Sequence, residues 1–267
     1  MENNIIRVSI FILISSLAIC SGYESYRKNS VIEDKNAKII NQENSIKLFK
    51  DSITSLNKYI KEKKIEKFTF VKERFSAFNS NIKDNTVKRF IKIVEHFKLD
   101  STQEMFNLFI HEIILESGAK QYNNGELVKS YTGAIGIGQI MPNTAFSFLK
   151  RVVYSKEMYN LNCEDFSWIN EDKGIYYPKS SETEKKVKKW LCNENNNLAL
   201  WGAIMRYNLD KNNNNVFYAL ISYNSGVGGL SSFLNSGSNP SSHSYIQGIL
   251  KKERISEDII SKTQKTS

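Results

Sequence analysis

The sequence predicts a mainly helical protein, and three observations predict it. Apolar side chains recur at spacings of three and four over the first hundred residues, a Ser-x-x-Glu signature at Ser101 and Glu104 opens a strongly apolar run, and Gly118 stands where that run stops. With 267 residues, 40% hydrophobic and 24% charged, the chain can bury a sizeable core, which excludes both a miniprotein held by staples and a chain disordered over most of its length.

The elements follow in order. Residues 1–22, MENNIIRVSIFILISSLAICSG, carry Arg7 and then an apolar run from Val8 to Cys20 that is too short for a comfortable spanning helix, so they read as an export signal with small residues at Ala18, Cys20 and Gly22 for cleavage. Two other readings stay open. LAIC is similar to a lipoprotein box, with Ile19 where that box wants a small residue, and would lipidate Cys20; Arg27 and Lys28 after the run fit an uncleaved membrane anchor. All three versions place the protein in the periplasm or cell envelope. Cys163 and Cys192 then remain, either as a disulfide or as two buried thiols.

Residues 23–95 are expected to form a helical N-terminal region. Ile39, Ile46, Phe49, Ile53, Leu56 and Ile60 make a narrow stripe that docks on the main domain or self-associates; Phe68, Val71, Phe75, Phe78 and Ile82 make a second. Asn85 and Thr86 offer caps to a third helix carrying Val87, Phe90, Ile91, Val94 and Phe97. The main domain is expected over 96–254, and the Lys-rich end, 255–267, as a mobile polar tail.

The formal charge of +9 favours an anionic partner without choosing among nucleic acid, an acidic membrane surface and an acidic polymer, and lysines on solvated helix faces account for it equally. HEIILE at His111 lacks the second His of a zinc-protease helix, since Leu115 occupies that position, and His96, His111 and His243 are scattered; no metal is expected. GAIGIGQIMP, from Gly133 to Pro142, lacks the Lys-Ser or Lys-Thr of a phosphate loop. Its glycines at 133, 136 and 138 instead permit positive φ and close approach beside Gln139 and Met141, which suits either the wall of a ligand cleft or a tightly packed turn.

Glu116 tips the balance toward a cleft. It lies in the last turn of an apolar helix, where the helix dipole disfavours a carboxylate, and Glu112 lies one turn back on the same face. Burial and a like charge both raise a carboxyl pKa, and a proton held near neutral pH is what a general acid needs.

Four motifs in order resemble the SLT-type lytic transglycosylases of the lysozyme-like superfamily: Glu116-Ser117, then GAIGIGQIMPNTA, then ISYNSG from Ile221 to Gly226, then SYIQGIL from Ser244 to Leu250. The resemblance covers about residues 96 to 252. It implies a helical, lysozyme-like catalytic domain with a groove for peptidoglycan glycan strands, without cofactor, metal or nucleic acid. By resemblance Glu116 is the single catalytic acid and base, Ser117 holds its carboxyl and substrate groups, Gln139 and Met141 line the groove, Tyr223 and Asn224 face it, and the Tyr245 hydroxyl reaches Glu116. The implied reaction breaks the β-1,4 bond between N-acetylmuramic acid and N-acetylglucosamine and leaves 1,6-anhydromuramic acid ends. A hydrolytic muramidase on the same fold needs a second carboxylate, for which Glu126, Asp165 and Glu171 stand as candidates. A glycan-binding or assembly module without catalysis is the alternative from another class.

Departures from the family pattern sit at Glu112, where an apolar residue is expected, at Ser222, where Ala is usual, and in the long stretch AKQYNNGELVKSYT after Gly118. Lys-rich SETEKKVKKW, Ser181 to Trp190, reads as a solvated helix or as a contact for anionic stem peptides.

Overall fold

The computed structural model describes residues 31–152, 154–161 and 167–266. Among them ten α-helices stand against one two-stranded hairpin, so the protein is mainly helical. The export signal, Cys20, Cys163 and Asp165 lie outside the described residues. No helix among the described residues is long and apolar enough to cross a membrane.

The chain divides into two compact units, one ending at Glu62 and the other beginning at Lys63. Helix α1, Val31–Ser76, runs through the division. The two stripes read as separate helices are one, because KEKKIEK between them contains neither Gly nor Pro and is built of good helix formers. In the first unit Ile46, Phe49 and Ile53 of that stripe are exposed.

The second unit holds a single core. Val71 and Phe75 of α1, Val87, Phe90 and Val94 of α2 (Asp84–His96), Phe109 and Ile113 of α3 (Gln103–Ser117) and Trp201 of α8 (Glu194–Lys211) are all buried in it. The expected boundary near residue 95 therefore does not interrupt the packing; the helices before it supply the same core as those after it. Trp201 is the hub, with its ring centroid 5.5 Å from Phe90 and 5.9 Å from Phe109, the latter edge-on. Gly202 beside it lets α8 approach α2, since a Cβ there would stand 2.4 Å from Ile93 and 2.8 Å from Phe97.

Helix ends differ from expectation by a residue or two. Helix α2 starts after Lys83 with no side-chain cap, and Thr86 is inside it, donating its hydroxyl to Glu194 Oε1 at 2.8 Å. Thr102, not Ser101, caps α3 by accepting from the Met105 N–H at 3.1 Å; Gly118 closes that helix in the left-handed conformation, φ 63°. After it, β1 (Tyr122–Asn123) and β2 (Glu126–Leu127) pair antiparallel through Asn124 and Gly125, both at positive φ, as a two-residue hairpin turn requires.

Four helices, α4 (Pro142–Arg151), α5 (Tyr154–Glu157), α6 (Ser167–Glu171) and α7 (Ser181–Leu191), lead to α8. On α7 the lysines at 185, 186, 188 and 189 are exposed while Val187 and Trp190 are buried, so the Lys-rich stretch has a solvated face. Helix α9 (Val216–Asn235) packs on α8, and α10 (Ser244–Thr266) packs along α3.

Of the tail expected at 255–267, residues 255–266 are instead the second half of α10. Its anchor is Ser256, fully buried, whose hydroxyl lies 2.9 Å from His111 Nε2; His111 Nδ1–H donates to the Asn107 carbonyl at 2.8 Å, and Asn107 Nδ2 donates to Glu253 at 3.2 Å. Lysines obscured this pattern because Lys262 and Lys265 are exposed, while the inner face is marked only by buried Ser256 and half-buried Ile255 and Ile260.

Candidate active site

The glycine-rich loop, residues 128–141, is shaped by two buried amides. Asn197 of α8 donates to the Ile135 carbonyl at 2.8 Å and the Leu191 carbonyl at 3.2 Å, and accepts from the Gly138 N–H at 2.8 Å. Gln121 accepts from the Ile137 N–H at 2.8 Å and donates to the carbonyls of Leu191 and Cys192, each at 3.0 Å. Buried loop backbone otherwise lacks partners, so these amides stand in for a sheet neighbour. Gly136 shows why the sequence is bare there: at φ 78° a Cβ would lie 2.5 Å from both amide side chains. Short bridges from Lys129 to Ile135 and from Ile135 to Ile140 finish the loop, and Pro142 at the first helical position starts α4.

Beside this loop lies a cavity of about 440 Å³. Gln139 and Met141 line it from the loop, Tyr223 and Asn224 from α9, and Glu116 from the end of α3. Five of the seven residues picked out from sequence thus share one cavity wall. Phe148, Tyr207 and Asn208 also border it, and sequence reading missed them because nothing but their fold neighbours distinguishes them from core residues. The lining mixes aromatic and thioether faces with side-chain amides, the combination that packs on the C–H faces of a sugar while bonding its hydroxyls. Among the described residues bordering the cavity, Glu116 is the one carboxylate, and no Lys, Arg or His joins it.

Helix α9 delivers its two residues by breaking. Gly226, at φ 71° and ψ 174°, interrupts the helix just past Tyr223 and Asn224, which leaves Asn224 exposed at the cavity. Tyr223 is fixed from its tip, donating its hydroxyl to the Gly138 carbonyl at 2.5 Å, and thereby ties α9 to the loop. Gln139 is held in the left-handed region at φ 50°, and its amide donates to the Gly136 carbonyl at 2.7 Å, which fixes the side chain along its own loop. Such a conformation costs a non-glycine residue on the order of 1 kcal/mol. Met141 is the cap residue of α4 and is about one-third exposed, so its thioether faces the opening.

Glu116 is half-buried, and Tyr245 of α10 donates its hydroxyl to Glu116 Oε1 at 2.5 Å. Tyr245 does not border the cavity; it supports the acid from behind. Burial raises the Glu116 pKa above the usual carboxylate range, and the Tyr245 hydrogen bond offsets part of that rise. Tyr245 and Tyr223 are themselves pushed well up, by burial first and by the two nearby glutamates next, so both phenols stay protonated.

Ser117 departs from expectation. Its hydroxyl donates to backbone carbonyls, at 2.7 Å to Ile137 and 3.2 Å to Ile113, and accepts from the Lys120 N–H at 3.3 Å. It does not hold the Glu116 carboxyl and does not border the cavity; it staples the end of α3 to the glycine-rich loop. A residue with one proton to donate, flanked by a carbonyl of α3 and a carbonyl of the loop, has none left for a ligand.

The residue that sequence reading left undecided is Glu112. It is fully buried, accepting from Trp201 Nε1–H at 2.7 Å through Oε2, with Oε1 3.2 Å from the Tyr245 hydroxyl. Burial first and the Glu116 charge second raise its pKa well above the ordinary value. Of the carboxylates considered for a second catalytic role, Glu126 lies on β2 and Glu171 ends α6; both are exposed and neither borders the cavity. The described residues contain no cluster of His, Cys, Asp and Glu that could hold a metal ion, and Cys192 is a free, half-buried thiol. No family model matches the chain, and neither a curated protein nor a solved structure matches it.

Proposed function

We propose that this protein cleaves peptidoglycan glycan strands as a lytic transglycosylase, on a helical domain of the lysozyme-like kind. One observation carries the reading: a single half-buried carboxyl with a raised pKa borders a cavity whose other lining side chains are uncharged, with amides, hydroxyls, aromatic rings and a thioether among them. A neutral Glu116 protonates the oxygen of the β-1,4 bond as it leaves, and the resulting carboxylate then takes the proton from the muramic acid 6-hydroxyl, which attacks its own anomeric carbon. No water is consumed, and a 1,6-anhydro end forms. The sugar's acetamido group stabilises the oxocarbenium-like centre, so a second protein carboxylate is not demanded.

Support comes also from what surrounds the acid. Tyr245 holds Glu116 by a hydrogen bond, and Tyr223, Asn224, Gln139 and Met141 border the same cavity. Export to the periplasm or cell envelope is part of the proposal, because the substrate lies there. Mass spectrometry of sacculi digested by the wild-type protein tests it. Anhydromuramoyl ends are expected; reducing muramic acid ends would make the enzyme a hydrolytic muramidase, and intact strands bound by the protein would make it a binding module.

A further inference from the structure

The proposed reaction gives Glu112 no task, although it is fully buried one helical turn from Glu116. Counting protons supplies one. Tyr245 Oη lies 3.2 Å from Glu112 Oε1 and 2.5 Å from Glu116 Oε1. A phenol has one proton and donates to one carboxyl, so the other carboxyl must donate to it. Trp201 Nε1–H can only donate, so Glu112 Oε2 accepts and a proton on Glu112 sits on Oε1, facing Tyr245. Two arrangements satisfy every group. In one, Glu112 donates to Tyr245 and Tyr245 donates to a Glu116 carboxylate. In the other, each proton has moved one place, so that Glu116 donates to Tyr245 and Tyr245 donates to a Glu112 carboxylate. Both carry one negative charge.

We infer that Glu112 and Glu116 hold one proton in common through Tyr245, so that Glu112, from behind the cavity wall, sets the pH range over which Glu116 carries the proton it needs before cleavage. Glu112 is a positioning residue: it acts through Tyr245 and does not border the space where a glycan would lie. The transfer balances. The Glu112 proton passes to the Tyr245 oxygen as the Tyr245 proton passes to Glu116, the phenol is regenerated, and the negative charge moves from Glu116 to Glu112. Two carboxyls this close resist ionising together, which keeps the last proton on the pair to higher pH than either would manage alone. Tyr245 from α10 is the titratable group bonded to the pair, Tyr223 from α9 is a neutral phenol near enough to feel its charge, and α8 contributes the neutral Trp201 N–H.

The inference rests on the lytic reading only for its effect on rate, so the test has two arms. Infrared titration of the protonated-carboxyl stretch, on folded protein without substrate, is compared for the wild type, Glu112→Gln, Glu116→Gln and Tyr245→Phe; the pH dependence of sacculus cleavage is compared for the wild type and Glu112→Gln. A glutamine keeps the size of Glu112 and can still donate to Tyr245, but it holds no shared proton. Expected is a drop in the Glu116 midpoint of about one pH unit or more in Glu112→Gln, an equal drop in the Glu112 midpoint in Glu116→Gln, and a cleavage profile whose alkaline limb moves down with the former. Tyr245→Phe, which cuts the bridge and leaves both carboxyls, is expected to shrink the mutual shift, and it carries the test if Glu112→Gln does not fold. A Glu116 midpoint unmoved by Glu112→Gln, or a mutual shift unchanged by Tyr245→Phe, would overturn the inference. If the wild type cleaves no glycan, the infrared arm still decides the shared proton and the lytic reading alone fails.

Discussion

Asn197 is the side chain on which the cavity wall depends most. It bonds three backbone groups of the loop and of the α7 end while fully buried, so Asn197→Leu leaves the Gly138 N–H without a partner and the Ile135 and Leu191 carbonyls with only the Ile140 N–H and the Gln121 amide. A loss of about 1–3 kcal/mol is expected from that change, read as a lower urea midpoint at unchanged slope; a midpoint within error of the wild type would show that the loop supports itself. Gly136→Ala is the complementary case. Its Cβ would enter the space of both amides at a backbone angle that side chains rarely adopt, so loss of the loop's structure, and of any activity, is expected to exceed the loss in global stability. Hydrogen exchange of the Ile137 and Gly138 amides reads the local effect directly, and unaltered protection in the variant would contradict it.

At the scale of elements, the pairing of α3 with α10 makes the C-terminal segment structural. Deleting residues 255–267 removes Ser256 and uncovers His111, and a clear drop in melting temperature is expected where a mobile tail would give none. The same contact sets a pH dependence. Burial holds His111 down at about 4 against an ordinary 6.5, so the fold favours the neutral ring. Its contribution is complete above pH 6.5, shrinks as pH falls from 6.5 toward 4, and amounts to a change on the order of 3 kcal/mol. Glu112 and Glu116 act with the opposite sign: their raised pKa values favour the folded state below the ordinary carboxylate range and cost stability as pH rises above it. Chemical denaturation of the wild type and His111→Asn from pH 7 to pH 4 isolates the histidine. The gap between the two proteins should narrow as the solution becomes acidic, and a constant gap would mean the ring titrates normally.

For the molecule as a whole, the site and the core that carries it belong to the unit beginning at Lys63. Helical class, the Gly118 stop and the buried faces of α2 and α3 were legible because each leaves a local mark, a period or a cap, while the convergence of Glu116 with Gln139, Met141, Tyr223 and Asn224 was expected only from the resemblance of the four motifs. The continuity of α1, the role of Ser117 and the folding of 255–266 were not. For α1 the stretch between the two stripes decides, being free of Gly and Pro; for the other two the deciding partner is far along the chain, Ile137 for the Ser117 hydroxyl and His111 for Ser256. Glu112 shows the limit most plainly, since a carboxylate on an apolar helix can either tune Glu116 or face water until Trp201 and Tyr245, 89 and 133 residues away, are seen to receive it. The central claim is that one proton on Glu116 drives glycan cleavage, and Glu116→Gln tests it most directly when clearing of a sacculus suspension and co-sedimentation with intact sacculi are measured on the same samples. The variant should sediment with sacculi as the wild type does and fail to clear them; clearing at the wild-type rate would contradict the account.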